Sequence, residues 1–300
     1  MAFLHRLAYA LAIGVILNTT SEMLFYSAPP EHTNAGSLAL TTLFYGVTAY
    51  AALLVAAWAG VRDWPGVFLT GCVFGWLIEG VVVDTVYSAL PFTLVFTAMS
   101  WHALLSVMVG FVLVRRAASW PIQRQIGLMV LLGLGFGLWA QFWPSERGAM
   151  PPPAATFLYL LGFGVTVPLA NHLLDALPAR FTFHPTEALV IWGAAGLLWA
   201  AKLVTTGNLA MLMLPLVMAP TLWALRRGAD KRGTVILPRR PRNPARHWLF
   251  LIAPALTFAV ASTGWRLFGS LPSNAIIAVL LSAIAFVVWL YAVIRPARQT

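Results

Sequence analysis

The chain has 300 residues, 60% of them apolar and only 9% charged, with a formal net charge of +10 and a single cysteine, Cys72. An ordinary soluble domain is about 45–50% apolar and about 25% charged, so this composition excludes one and points to an integral membrane protein. One cysteine also excludes an intramolecular disulfide and a cysteine-held metal.

A helix needs about 20 mostly apolar residues to cross a hydrocarbon core of about 30 Å. By that measure ten spans are expected, at 7–27, 36–60, 66–87, 89–114, 122–143, 154–177, 186–204, 207–226, 247–268 and 272–294. Backbone groups in lipid must be satisfied within their own segment, and these runs are too long and too uniformly apolar for barrel strands. The expected fold is therefore all-α, a polytopic membrane helix bundle. The first run contains Asn18, Thr19, Thr20, Ser21 and Glu22, unlike the short apolar core of a cleavable signal. Pro29 and Pro30 end that span, Pro65 opens the third, Pro144 ends the fifth and Pro151 to Pro153 precede the sixth, as suits a residue that fits a first turn or an exit. Trp58, Trp64, Trp120, Trp143, Trp223, Trp248 and Trp289 fall near span ends, in the manner of an aromatic belt.

With ten spans and a cytoplasmic start, every Lys and Arg except Arg147, Lys202 and Arg266 falls on the inner side. That asymmetry fits the positive-inside rule and predicts cytoplasmic N and C termini in the cell membrane. Residues 1–300 read as one integral membrane domain, divisible into halves 1–150 and 151–300, with 227–246 as a basic cytoplasmic loop. That loop is too short and too rich in Arg, Gly and Pro to bury a core. Its Arg226, Arg227, Lys231, Arg232, Arg239, Arg240, Arg242 and Arg246 are expected to anchor the topology and attract anionic lipid. It lacks the aromatic platform of a nucleic-acid binder, so no nucleic acid is expected.

Residues four apart stack on one helix face. Gly14, Asn18, Glu22 and Tyr26 do so in the first span, Gly71, Gly75, Glu79, Val83 and Tyr87 in the third, and Gly133, Gly137 and Gln141 in the fifth. Small residues at this spacing let helices approach closely. An ionisable group inside a bilayer is costly, which makes Glu22, Glu79 and His102 functional candidates. The expected site is a polar chamber open to the outside, with Glu22 and Glu79 facing Lys202 and Arg266, Gln141 at similar depth, and Asp84, Tyr87 and Asn208 at the rim. His102 offers a proton relay to Glu79, since histidine is the side-chain type that ordinarily titrates near neutrality. Asn171, His172 and Asp175, with Glu187 across a short loop, make a second polar group on the inward side.

No Walker P-loop, His-Glu-x-x-His pair, Gly-x-Ser-x-Gly elbow or Asp-rich diphosphate motif occurs, and no cofactor is expected. Ten helices divide into five plus five, and an odd number per half gives inverted halves with a site near their interface. In size and topology alone this is similar to the drug and metabolite transporter superfamily, which implies a proton- or ion-coupled secondary transporter of a small molecule. Two alternatives stand beside it. An intramembrane enzyme acting on a lipid or isoprenoid would use Glu79, Asp84 and His102 as acid, partner and base. A structural or assembly subunit would use its carboxyls only to hold helices together.

Overall fold

The computed structural model describes residues 2–31, 34–227, 234–236 and 240–295. Ten helices among them are long and apolar enough to cross a membrane: α1 Phe3–Tyr26, α2 Ala35–Trp58, α3 Trp64–Val82, α4 Phe92–Ala117, α5 Ile122–Arg147, α6 Pro153–Ala176, α7 Pro185–Thr206, α8 Leu209–Arg227, α9 Pro244–Phe268 and α10 Ser273–Ile294. The chain is a multi-pass membrane protein built as an all-α bundle. Lys231, Arg232, Arg239 and Arg298 lie outside the described residues.

An even number of crossings brings the start of α1 and the end of α10 to one face, the terminal face. On that terminal face Arg295 pairs with Asp63 at 2.6 Å, and Arg6 Nε donates to Glu187 Oε2 at 2.7 Å. A short antiparallel pair, β1 Arg180–Thr182 and β2 Thr234–Ile236, ties the connection after α6 to the basic loop. Hydropathy gave no sign of it.

Glycine faces set the closest helix approaches. On α1, a Cβ at Gly14 would stand 2.5 Å from the Gly46 backbone of α2. On α3, Gly71 meets Ala103 and Gly75 meets the Ala98 backbone, both on α4. This inner group of α1 to α4 is flanked by α6 against α1, α9 against α5 and α6, and α8 and α10 against α3. The outermost helix, α7, has no buried residue, and Leu189, Val190, Leu197 and Val204 form an apolar outer surface suited to lipid.

Two boundaries differ from expectation for local reasons. The third span was expected to reach Tyr87, but α3 stops at Val82 because Val83 turns extended (φ −109°, ψ 176°). Residues Thr85–Tyr87 then form a separate turn. The seventh and eighth spans, nearly continuous in sequence, are separated by Gly207 at φ 63°. That left-handed conformation costs glycine little and ends α7. Asn208 then caps the next turn, its Oδ1 accepting from Ala210 N at 3.1 Å.

Candidate functional site

Glu22, Glu79 and His102 converge from α1, α3 and α4. Their carboxylate oxygens and imidazole nitrogen all lie within 4.8 Å of one another. His102 Nε2 is 2.8 Å from Glu79 Oε1. The other Glu79 oxygen accepts from the Thr85 hydroxyl, and Tyr45 of α2 donates to Glu22 Oε1 at 2.7 Å. The Nε2–H tautomer of His102 satisfies the Glu79 contact and leaves Nδ1 as a buried acceptor with no hydrogen-bond partner among the described residues. Trp101 Nε1, one residue away, is likewise a buried donor without one.

The helices deform where they carry these three groups. Glu22 lies in a π-helical stretch at Thr19–Met23, Glu79 in one at Ile78–Val82, and His102 in one over Phe96–Leu113. Those are the π-helical stretches among the described residues. A wider turn shifts the register of the side chains after it, and such turns often mark functional sites. Hydroxyls accompany the change. Ser100 and Ser106 each reach the carbonyl five residues back, at 3.2 Å and 3.0 Å, and Thr20 and Ser21 bond the carbonyls four back, each at 2.8 Å.

Aromatic residues enclose the cluster. The Phe74 ring packs edge-on to Tyr45 and to His102, with centroids 5.6 Å from each. Toward the face away from the chain ends, Phe25 packs against Trp139 at 5.1 Å and Trp101 against Trp139 at 5.3 Å. Trp143 Nε1 donates to the Phe25 carbonyl at 2.7 Å, fixing the end of α5 over the end of α1. Glu79 therefore stays 9% exposed although it sits a single turn from the end of its helix. The Thr85–Tyr87 turn folds back to complete the cover. Tyr87 donates to the Gly80 carbonyl at 2.8 Å, and burial pushes its phenol up to about 12, which keeps that donor protonated at ordinary pH.

Other expected site residues lie elsewhere. Lys202 reaches across from α7 to Asp84 at 3.1 Å and to the Val82 carbonyl at 2.9 Å, so it closes the C-terminal end of α3. Asp84 is about half exposed there. Arg266 Nε bonds the Ser262 carbonyl of its own helix at 3.1 Å. Gln141 bonds the carbonyls of Gly137 at 2.6 Å and Val260 at 3.3 Å, in the seam between α5 and α9. None of their hydrogen bonds reaches Glu22 or Glu79.

The second polar group forms two separate networks on the terminal face. Arg115 pairs with Asp175 at 2.6 Å and bonds Asn171 Oδ1 at 2.9 Å, while His247 Nε2 is 3.0 Å from the other Asp175 oxygen. The His172 ring lies edge-on to His247 at 5.5 Å. Glu187 belongs instead to a cluster with Arg6 and Tyr50. In the basic loop, Arg226 bonds the Trp58 carbonyl at 3.4 Å, Arg227 the Val293 carbonyl at 2.6 Å, and Arg246 the Gln125 side chain at 2.6 Å. Arg240 and Arg242 are exposed.

Sequence reasoning missed Tyr45, Thr85, Phe74 and Trp101 as neighbours of the cluster. Tyr45 carried a weak signal, a phenol inside an apolar span, whose hydroxyl needs a partner when buried. No protein-family model matches the chain, and no match was found among curated proteins or solved structures. The site's chemistry must therefore be read from its own geometry.

Proposed function

We propose that the chain is an intramembrane enzyme that moves protons on a lipid or isoprenoid chain, with Glu22, Glu79 and His102 as its acid and base. The convergence of these three groups inside an aromatic enclosure is the observation that supports it. In the proposed cycle one of the two carboxyl groups carries the transferable proton. The protonated carboxyl gives that proton to one carbon of a carbon–carbon double bond. The resulting cation loses a proton from a neighbouring carbon, or takes up a water that loses one, to the His102–Glu79 base, and the proton inventory is restored. Tyr45 and Thr85 orient the two carboxyl groups, and the aromatic faces surrounding them suit a transient cation. With the termini in the cytoplasm, as the distribution of Lys and Arg predicts, the cluster occupies the outer half of the bilayer.

The test compares the unaltered protein with Glu79→Gln in membranes, reading the isomer and mass profile of unsaturated lipids. Glutamine keeps a hydrogen-bonding group and removes titration. A variant that melts like the parent and leaves the lipid profile unchanged supports the proposal. Full activity of the variant would reduce Glu79 to helix glue. The same triad serves the proton-coupled transporter reading, because a histidine bonded to a buried carboxylate is also a proton relay. Uptake of a solute driven by a pH gradient in proteoliposomes, without altered lipid, would assign that function instead. Glu22, Glu79 and His102 also make a three-donor set able to hold a divalent cation. Loss of activity in chelator, restored by a metal, would move the chemistry to that ion.

A further inference from the structure

The inner helices line a half-open cavity of about 1090 Å³ between α1, α2, α3 and α4. Its volume slightly exceeds the ~300–1,000 Å³ usual for small-molecule pockets. The walls are apolar, with Ile13 and Leu17, Leu53 and Ala56, and Val107 and Phe111 among them, and the lining contains no Asp or Glu among the described residues. Along the α-helical part of α3 the lining runs from Val67 to Phe74, about 10 Å at 1.5 Å per residue. At the terminal face the polarity inverts, for Arg62, Arg116, Arg240, Arg242 and Arg246 all line the cavity there. Arg246 is fixed by Gln125 and by the Trp120 carbonyl at 2.9 Å. Arg116, Arg240 and Arg242 are exposed and make no ion pair among the described residues. At the deep end lies Phe74, whose ring also packs edge-on to Tyr45 and His102.

We infer that this cavity binds a single-chain amphiphile with a phosphate or diphosphate head, its head among the arginines and its chain running inward to Phe74. An apolar slot of this depth takes a chain and leaves a folded polar solute unsolvated. Arg116, Arg240 and Arg242, which make no ion pair among the described residues, recognise a multiply charged oxyanion through paired N–H donors. Phe74 is the partition between the chain's far end and the proton-handling cluster, so rotation of one ring joins the two. That last placement rests on the acid–base reading above; the arginine-mouthed cavity does not.

The test measures binding of dodecyl phosphate to the full-length protein in nanodiscs of phosphatidylcholine. Saturable binding is expected, with no competition from dodecyltrimethylammonium and weak competition from inorganic phosphate. The combined change of Arg116, Arg240 and Arg242 to Gln is expected to weaken binding at least tenfold, and Ala52→Trp, which fills the slot, to abolish it. A dodecyl phosphate bearing a diazirine at its chain end reads the unaltered protein and does not depend on any variant folding. Its label is expected on the peptides holding Leu17 and Phe74. Unchanged affinity in the arginine variant, or label confined to the outer faces of α7 and α10, overturns the inference. Displacement by diacyl phosphatidate as effective as by dodecyl phosphate also overturns it, since the arginines would then be reading leaflet headgroups. Binding is read without turnover, so failure here leaves the acid–base reading standing, and full activity of Glu79→Gln leaves this result standing.

Discussion

A phenol that donates to a buried carboxylate does more than satisfy it, because it also chooses the direction in which the remaining lone pairs point. Tyr45 holds Glu22 Oε1 at 2.7 Å while its ring packs on His102 with centroids 5.8 Å apart. Tyr45→Phe keeps the ring and removes only the donor. A hydrogen bond to a charged group contributes about 1.5–3 kcal/mol, so the variant is expected to fold with a modest loss of thermal stability in detergent. Turnover is expected to fall about tenfold, part of the 10²–10⁴ that acid–base catalysis supplies. Normal turnover in a folded Tyr45→Phe protein would remove Tyr45 from the site. Glu22, Glu79 and His102 were legible in the sequence because charge in an apolar span is conspicuous. Tyr45 was not, since a tyrosine in such a span reads equally well as core or as interface.

At the scale of the helix, the same four-residue stripe had different outcomes. Gly71 and Gly75 press α3 against α4 and carry Glu79 to His102. Gly133 and Gly137 press α5 against α9, and the Gln141 that ends their stripe is spent on carbonyls in that seam. Spacing reveals a close-packing face but not which partner it meets. Nor does hydropathy carry hydrogen-bond register, so the π-helical turns and the early end of α3 at Val82 were invisible to it. The α3–α4 seam gives a direct check. A Cβ at Gly75 would lie 2.8 Å from Ala98 Cα and closer still to its carbonyl oxygen, and backbone does not yield as a flexible side chain does. Gly75→Ala is expected to cost about 1–3 kcal/mol by overpacking. It should also lower activity more than stability, since Glu79 lies one turn onward and moves with the seam. Gly127→Ala on α5 meets open space and should be neutral or slightly stabilising, given alanine's ~1 kcal/mol advantage in helices. Equal melting temperatures for the two variants would show that the seam is not tight.

In the molecule as a whole, two stretches of α4 do different work. Its middle carries His102 into the proposed site, while its C-terminal end carries Arg115 into a network that fastens α4 to α6 and α9 on the terminal face. The side chains of Arg115 and Asp175 are only 4% and 3% exposed. Removing one member of such a pair leaves an uncompensated buried charge, which costs about 3–5 kcal/mol, whereas replacing both by apolar residues is often close to neutral. Arg115→Met leaves Asp175 with His247 alone, at 3.0 Å. It should therefore melt well below the parent. Adding Asp175→Leu should restore most of that loss, because no unpaired carboxylate is then left buried. The site residue His102 lies several helical turns back along α4 from Arg115, so the double variant should keep the lipid-modifying activity that Glu79→Gln loses. Two results would count against this division of labour. A single variant as stable as the parent would mean that water reaches the pair, and a stable but inactive double variant would mean that the terminal-face network sets the geometry of the distant cluster.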